Sequence, residues 1–353
     1  KVADELRQRG VTVHIGGPHA TYFAERSKDH ADWVHKGQSY ESFGAYLQGS
    51  DAIYNYFKKT TFELGANMNL SNKIKEYTDK NKIAPNQDLV DQWNQEINEE
   101  AEYLATKTEN IKKIKKNMQS GIFFSRFLST NIPIPDRATF YQDNEDMLMN
   151  PIKNSICGEG CPFACSYCYN VAWNSPEMYG KFQRRIIRDV DEQIKELAEL
   201  RQYNTELIYF QDDVFAFELP WLREFMPKYA EHVGIPFHAQ LRLELAEGHA
   251  GKERLKLMKE AGCTGVTAAV ENGDYDIRKE ILDRKMKERH VFGGLRNITQ
   301  TGLTCRTEQI IAIPGVETMK GDSVLDYDLK TLRTNCLAGI DIAWTSILAP
   351  YGG

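Results

Sequence analysis

From residue 152 onward the chain alternates short apolar runs with longer stretches whose apolar residues recur at helical spacing. Strands alternating with helices of this length predict parallel βαβ units. Six such units without a glycine-rich dinucleotide fingerprint predict an α/β fold, a partial (β/α)6 TIM-like barrel with its site at the carboxyl ends of the strands. The predicted strands are IKNSIC (152–157), ELIYFQ (206–211), PFHAQLRLEL (236–245), GVTAAVE (265–271), TCRTEQIIAI (304–313) and DIAWTSIL (341–348). The predicted helices include VDEQIKELAELRQY (190–203), WLREFMPKYAEHV (221–233) and GKERLKLMKEAG (251–262).

The pattern before residue 152 divides into three parts. Residues 1–49 resemble an α/β segment, with strands predicted in VTVHIGG (11–17) and ADWVHKG (31–37). Residues 50–131 are polar, with apolar positions at helical spacing, and predict a linker of amphipathic helices. The proline-punctuated IPIPDRATFY predicts an extended connector that opens the third domain, 132–353. The chain opens as if partway through a domain and ends just after a strand, so we expect both termini to be truncated.

Composition narrows the function classes. Net charge is −6 and hydrophobic residues make up 41% of the 353. A net negative charge does not favour binding to nucleic acid or to an anionic membrane. No apolar run approaches the roughly 20 residues that span a bilayer, and no secretory signal is visible.

The seven cysteines are the strongest chemical signal. Four of them fall within twelve residues, their number is odd, and no secreted-style ladder of spacings occurs. This pattern favours a reducing compartment, the cytoplasm, and a metal or cluster site. The cysteines are Cys157, Cys161, Cys165, Cys168, Cys263, Cys305 and Cys336. The last three stand in apolar surroundings, which predicts packed core thiols.

Cys161, Cys165 and Cys168 are spaced C-x3-C-x2-C. Three thiolates on a four-iron cluster leave one iron open for a substrate or cofactor. Zinc is an alternative, although it usually shows a second C-x2-C pair, which this sequence lacks. An electron-transfer cluster is another alternative, for which Cys157 could supply a fourth ligand.

This motif, with Tyr167 before its last cysteine, resembles the signature of radical SAM enzymes. The run PDRATFY, an apolar strand and then GCPFACSYC resemble the branch with a cobalamin-binding domain, and six strands follow in the expected order. The resemblance implies that Cys161, Cys165 and Cys168 hold a 4Fe–4S cluster whose open iron chelates S-adenosylmethionine (SAM). Reductive cleavage would then yield methionine and a 5′-deoxyadenosyl radical. It also implies a small-molecule substrate and an electron donor such as flavodoxin or ferredoxin.

Polar residues at two strand ends are candidate ligands for SAM. Asp212 and Asp213 directly follow the predicted strand ELIYFQ. The resemblance places the SAM amino group there, although many members of the family have Gly-Gly-Glu at this point. Asp213 could instead cap a helix. In PFHAQLRLEL a period of two puts Gln240 and Arg242 on a polar face, which would suit the SAM carboxylate or ribose in a barrel lumen. A structural ion pair is the alternative for Arg242.

The family resemblance implies further candidate SAM-binding residues on the later strands. Glu271 would contact the SAM ribose, and Arg278 the methionine carboxylate unless it has a surface or capping role. Backbone from Ile311 through Ala312 to Ile313 would bind adenine, although Ala312 stands where glycine is frequent. Leu348 would lie beside the adenine or serve simply as a core residue. No catalytic acid or base is assigned.

HIGGPHATYF and ADWVHKGQSYESF resemble the end of a cobalamin-binding Rossmann-like domain. Gly16 and Gly17 would allow close backbone approach to the corrin or its nucleotide tail, and Gly37 ends the next strand. His19 is a candidate cobalt ligand, with an ordinary loop role as the alternative, and no D-x-H-x-x-G motif is present. The leading expectation is cobalamin-dependent radical methylation of an unactivated carbon. The alternatives are radical cyclisation or rearrangement, and a non-catalytic iron–sulfur electron carrier.

Overall fold

The structure, a computed structural model, divides the chain into two compact units, Lys1–Ser129 and Thr130–Tyr351. The N-terminal unit therefore contains both the segment 1–49 and most of the predicted linker. The residues described are 2–16, 23–36, 40–49, 51–53, 56–57, 122–124, 134–173, 185–316 and 322–348, with short stretches and single positions between 73 and 120.

The N-terminal unit has a parallel three-stranded sheet in the order β1-β2-β3, formed by His14–Ile15, Trp33–Lys36 and Ile122–Phe124. The third strand lies within the segment 50–131 that was predicted as a linker of amphipathic helices, so that prediction did not include it. Its three residues were hidden because a strand this short carries almost no periodicity. The unit's described helices are α1 (Val2–Gln8), α2 (Ala24–Lys28) and α3 (Tyr40–Gln48).

The C-terminal unit is built on six parallel strands in the order β11-β10-β9-β8-β7-β4. This is the predicted partial barrel, left open between its two edge strands. The strands are β4 (Ile152–Ser155), β7 (Leu207–Phe210), β8 (Phe237–Gln240), β9 (Cys263–Glu271), β10 (Thr304–Ile311) and β11 (Ile342–Ile347). A small antiparallel pair, β5 (Gly158–Glu159) and β6 (Ile186–Ile187), lies beyond β4 in the chain.

The described α-helices of the C-terminal unit are α4 (Arg137–Gln142), α5 (Glu145–Met149), α6 (Asn170–Trp173), α7 (Val190–Glu199), α8 (Leu219–His232), α9 (Leu243–Ala246), α10 (Gly248–Glu260), α11 (Glu288–Gln300) and α12 (Val324–Ala338). Helices α7 to α11 cover one face of the six-stranded sheet, where their apolar residues share the main hydrophobic core with it. Apolar strand residues such as Phe210, Phe237 and Val266 join the main hydrophobic core on this side. Alternate residues, including Tyr209 and His238, therefore face the barrel lumen.

In two segments the observed secondary structure differs from the predicted one. The strand predicted over 236–245 ends at Gln240, and α9 begins at Leu243. The predicted extended connector contains helix α4, because Asp136 caps it by accepting the amide of Thr139 at 3.1 Å. Arg137 then donates to buried Glu196 at 2.7 Å, which fixes this helix against the barrel.

Two of the three remaining cysteines have the environment predicted for them. Cys263 and Cys305 are buried in the main core, whereas Cys336 is exposed on α12. The prediction of a packed thiol is therefore wrong for Cys336. None of the described helices has the length and apolar character that a membrane crossing requires.

Candidate active site

The three motif cysteines lie in the loop between β5 and α6, which we call the thiol loop. Cys161 and Cys165 are buried, and Cys168 is half-buried. Cys157 is also buried, but it belongs to the main hydrophobic core of the barrel. The core position of Cys157 favours a structural role for it over that of a fourth cluster ligand.

Asp212, which follows the carboxyl end of β7, contacts the residues that lead into this loop. Asp212 accepts the amides of Cys157 at 3.0 Å and Gly158 at 2.8 Å, and pairs with Arg185 at 3.5 Å. Burial raises the pKa of Asp212 to about 6, against the opposing effects of Arg185 and the two amides. With both oxygens engaged, Asp212 orders the loop. Its predicted contact with the SAM amino group stays a prediction.

Asp213 contacts the next part of the loop. It accepts the Gly160 amide at 3.1 Å and the Tyr169 hydroxyl at 2.8 Å. These contacts differ from the helix cap that was the alternative for this residue. Asp213 is only half-buried, so it remains the better placed of the two aspartates to meet a cofactor.

The segment after β9 holds the loop from a second direction. The Ser166 amide donates to Leu282 at 3.0 Å, and its hydroxyl donates to the Ile281 carbonyl at 2.6 Å. Ile281 and Leu282 follow Ser166 by more than a hundred residues in the sequence. The thiol loop is therefore fixed by tertiary contacts on two sides.

Two buried arginines approach the sulfur of Cys165. The Arg242 Nη1 lies 3.4 Å from Cys165 Sγ, and the Arg284 Nη1 lies 3.9 Å from it. Arg242 also stacks 3.6 Å above the Phe163 ring centroid and pairs with Glu244 at 2.7 Å. Two guanidinium groups this close to the sulfur would tune the potential of a cluster bound there.

Tyr167 connects the thiol loop to the end of β9. Its hydroxyl donates to Glu271 at 2.6 Å and accepts from Arg284 at 3.3 Å. Burial raises the pKa of Glu271, although Arg284, 3.8 Å away, lowers it. Glu271 has φ +64°, a left-handed conformation that is rare outside glycine and concentrates at functional sites.

Arg284 was missed by sequence analysis. Its other terminal nitrogen donates to the Ala269 carbonyl at 2.8 Å, so one side chain contacts the thiol loop and β9. Its Nε is buried without a hydrogen-bond partner among the described residues. A charged residue in the run LDRK resembles a surface residue in sequence, and no periodicity identifies it as buried.

Arg278 has a different role from the two that sequence analysis considered. It is fully buried and donates to Asn272 at 2.7 Å, Met286 at 3.1 Å and Glu288 at 2.6 Å. It has neither a surface position nor any exposed donor for a methionine carboxylate. Arg278 therefore ties the turn after β9 to the start of α11.

The predicted adenine-binding residues lie around a second, smaller hydrophobic cluster. Ile313 is part of it, and Tyr167 and Leu348 pack against it. Ala312 has φ +55° and donates its amide to Asp328 at 3.2 Å, which explains why glycine would suit that position. Ile311 precedes it at the end of β10. Adenine binding by these residues stays a prediction.

The remaining predicted residues make few contacts or lie outside the described residues. Gln240 faces the lumen and donates to Gln211 at 3.1 Å. Gly16 ends β1 in a conformation that does not require glycine, and an added Cβ would make only ordinary contact with His35. Gly17, His19 and Gly37 lie outside the described residues.

The donor set fits an iron–sulfur cluster better than a single ion. In the described part of the chain, no three cysteine, histidine or acidic side chains meet closely enough to hold one metal ion. In a 4Fe–4S cluster each thiolate binds a different iron, so the sulfurs need not converge on one point. Burial raises the pKa of Cys161 to about 11, a cost that ligation by iron must overcome.

Comparison with known families decides between these possibilities. Residues 155–321 match the family model described as the Radical SAM superfamily. These residues form a radical SAM domain. The domain implies a 4Fe–4S cluster and SAM as cofactors, and Cys161, Cys165 and Cys168 are the residues that would hold the cluster.

Relatives of the radical SAM domain include cytidylyl-2-hydroxyethylphosphonate methyltransferase of Streptomyces wedmorensis, 25% identical over 166 residues. The match covers 47% of this chain and 29% of that protein. Among solved structures, the radical SAM methyltransferase TsrM of Kitasatospora setae, with cobalamin and a [4Fe-4S] cluster bound, has a TM-score of 0.46, 12% identity and coverage of 58% and 35%. The cobalamin-dependent SAM radical enzyme OxsB, with aqua-cobalamin and SAM bound, has a TM-score of 0.44, 17% identity and coverage of 57% and 28%. The chain thus spans about a third of the length of these relatives.

Proposed function

We propose that this protein cleaves SAM reductively and uses cobalamin to methylate an unactivated carbon of a small molecule. The observation that carries the first part is the loop of Cys161, Cys165 and Cys168, fixed on two sides and approached by Arg242 and Arg284. When bound, the cluster supplies the electron that breaks a carbon–sulfur bond of SAM. An external donor such as flavodoxin or ferredoxin would reduce the cluster.

The chain's own residues bind and orient SAM. Glu271 offers a carboxylate beside Tyr167, where it can accept ribose hydroxyls. Gln240, the last residue of β8, and Arg242, which follows the strand, offer donors for the methionine carboxylate. Asp213 is the proposed contact for the SAM amino group.

The adenine is proposed to lie against the smaller hydrophobic cluster. Backbone groups from Ile311 to Ile313 would supply its hydrogen bonds, and Leu348 an apolar face. Positioning of this kind is the protein's main contribution when a cofactor performs the difficult chemistry.

Cobalamin and methylation rest on other observations. The N-terminal unit has a parallel sheet, and its first strand is followed by the Gly16–Gly17 pair, whose sequence resembles the end of a cobalamin-binding domain. The relatives named above include two methyltransferases and two proteins with cobalamin bound. Radical cyclisation or rearrangement is the second candidate function, favoured if SAM is cleaved without any corrinoid.

The full-length protein, reconstituted anaerobically with iron and sulfide, tests the proposal. We expect SAM and a reductant to yield methionine and 5′-deoxyadenosine, and the desalted protein to retain the visible absorbance of a corrinoid. Gly17→Val should abolish that absorbance and spare the cluster. SAM cleavage by wild-type protein that retains no corrinoid would remove cobalamin-dependent methylation and leave the second candidate.

Replacing Glu271 by glutamine should weaken SAM binding while the cluster remains. The lost charge-assisted hydrogen bond is worth about 1.5–3 kcal/mol, or roughly ten- to a hundred-fold in affinity. Titration of SAM into reconstituted protein measures it, with Glu253→Gln as the matched control, because Glu253 is a partly exposed glutamate on α10 whose partner is Arg223 on α8. Arg242→Ala should weaken binding similarly, but its contact with Cys165 makes Glu271 the cleaner test. Equal affinity in Glu271→Gln and wild type would place the SAM ribose elsewhere.

A further inference from the structure

Three side chains form a continuous surface on the lumen face of β10 and β11. Arg306, Glu308 and Trp344 are defined here as the lumen wall. Glu308 is in register with Trp344, and Arg306 donates to Glu308 at 2.9 Å. The Arg306 guanidinium carbon lies 4.8 Å from the Trp344 ring centroid. Ring, cation and carboxylate therefore adjoin one another.

The lumen wall has unused binding capacity. Within the described residues, Arg306 makes no hydrogen bond besides the one to Glu308, so its Nη1 is an open donor. Its Nε is buried without a partner, a state that costs free energy until an acceptor arrives. Trp344 is 54% exposed, although it lies on the face that lines the lumen. An exposed tryptophan beside an under-used arginine is a typical binding surface.

The lumen wall adjoins the proposed SAM site. Glu308 is in register with Ala269, and after a bulge the next residue, Gln309, is in register with Glu271. Glu271 in turn accepts the hydroxyl of Tyr167 in the thiol loop. A molecule bound against the wall would thus lie in the same lumen as the reacting cofactor.

We propose that the lumen wall binds the substrate, and that this substrate carries a carboxylate beside a planar ring. Arg306 would donate to the carboxylate, and the ring would stack on Trp344. Glu308 orients Arg306 and balances its charge, which suits a monoanion better than a dianionic phosphonate. This inference rests on the proposed function, because it takes the lumen to be the reaction site.

Ligand-observed NMR titration with three probes of equal ring size tests the inference. The probes are naphthalene-2-acetate, the neutral 2-(2-naphthyl)ethanol and 2-naphthylmethylphosphonate. Reconstituted wild-type protein should bind the acetate about ten-fold more tightly than the alcohol. Arg306→Gln should remove that difference and leave the affinity for the alcohol unchanged. Trp344→Leu should weaken both probes, and Arg223→Gln, an exposed arginine on α8, should change neither.

Equal binding of acid and alcohol by wild type, or an unchanged affinity for the acid in Arg306→Gln, would show that the lumen wall is a structural ion pair only. Tighter binding of the phosphonate than of the acetate would overturn the substrate class. Uncoupled SAM cleavage is measured on the same wild-type sample. Loss of cleavage with retained probe binding would contradict the proposed function and not the lumen wall, whereas the reverse result would contradict the lumen wall alone.

Discussion

Alanine at Cys161, Cys165 or Cys168 is expected to abolish cluster binding, whereas alanine at Cys157 is expected to preserve it. The three motif thiols lie in one loop, and each would bind its own iron. Cys157 instead lies in the hydrophobic core, where its loss removes only a small buried side chain. SAM cleavage should fall to background in the first three variants, because the electron reaches SAM only through the cluster.

Iron and sulfide content after anaerobic reconstitution, with visible absorbance, measures the effect. Cys305→Ala, another buried thiol of the same core, is the matched control for Cys157→Ala. Loss of the cluster in Cys157→Ala together with retention in Cys161→Ala would reverse the ligand assignment.

Arg278→Met should reduce the free energy of unfolding by about 3–5 kcal/mol, since the change leaves buried acceptors without donors. The carbonyls of Asn272 and Met286 each lose a hydrogen bond, and both residues are buried. Glu288 is about half exposed and can turn to solvent. The loss therefore comes mainly from the two carbonyls.

Urea denaturation of cluster-loaded protein, followed by circular dichroism, measures this effect. The matched control is Arg223→Met, which removes an exposed arginine paired with Glu253 and should alter the midpoint little. If both variants lose the same small amount, Arg278 is not a structural tie.

The alternation of strands and helices made the barrel predictable from sequence. Each strand there is either apolar or alternating, and each helix is long enough to show its own period. The thiol loop was predictable for another reason, because three ligands close in sequence need no tertiary information. The prediction missed strand β3, because a strand of three residues shows no periodicity. It also placed the end of β8 too late, because Arg242 continues the alternation of polar and apolar residues after the backbone has left the sheet.

The arginines show what a pattern cannot convey. Arg278 and Arg284 are six residues apart and both buried, one supporting a turn and the other reaching the thiol loop. Their sequence context is charged, which normally indicates a solvent-exposed surface. Their roles depend on partners such as Met286 and Cys165, and one of those partners is remote in the chain.

Because two distant segments of the chain fix the thiol loop, the loop reaches its final structure only late in folding. Ser166 is anchored to Ile281, and Cys165 faces Arg284, so the environment of the thiols is incomplete until those later residues have been synthesised and packed. A nascent chain that has just exposed its cysteines can offer iron only loose, unshielded thiols. A cluster that met the cysteines before β9 and the turn beyond it had folded would lack the contacts that Ile281 and Arg284 make with the loop.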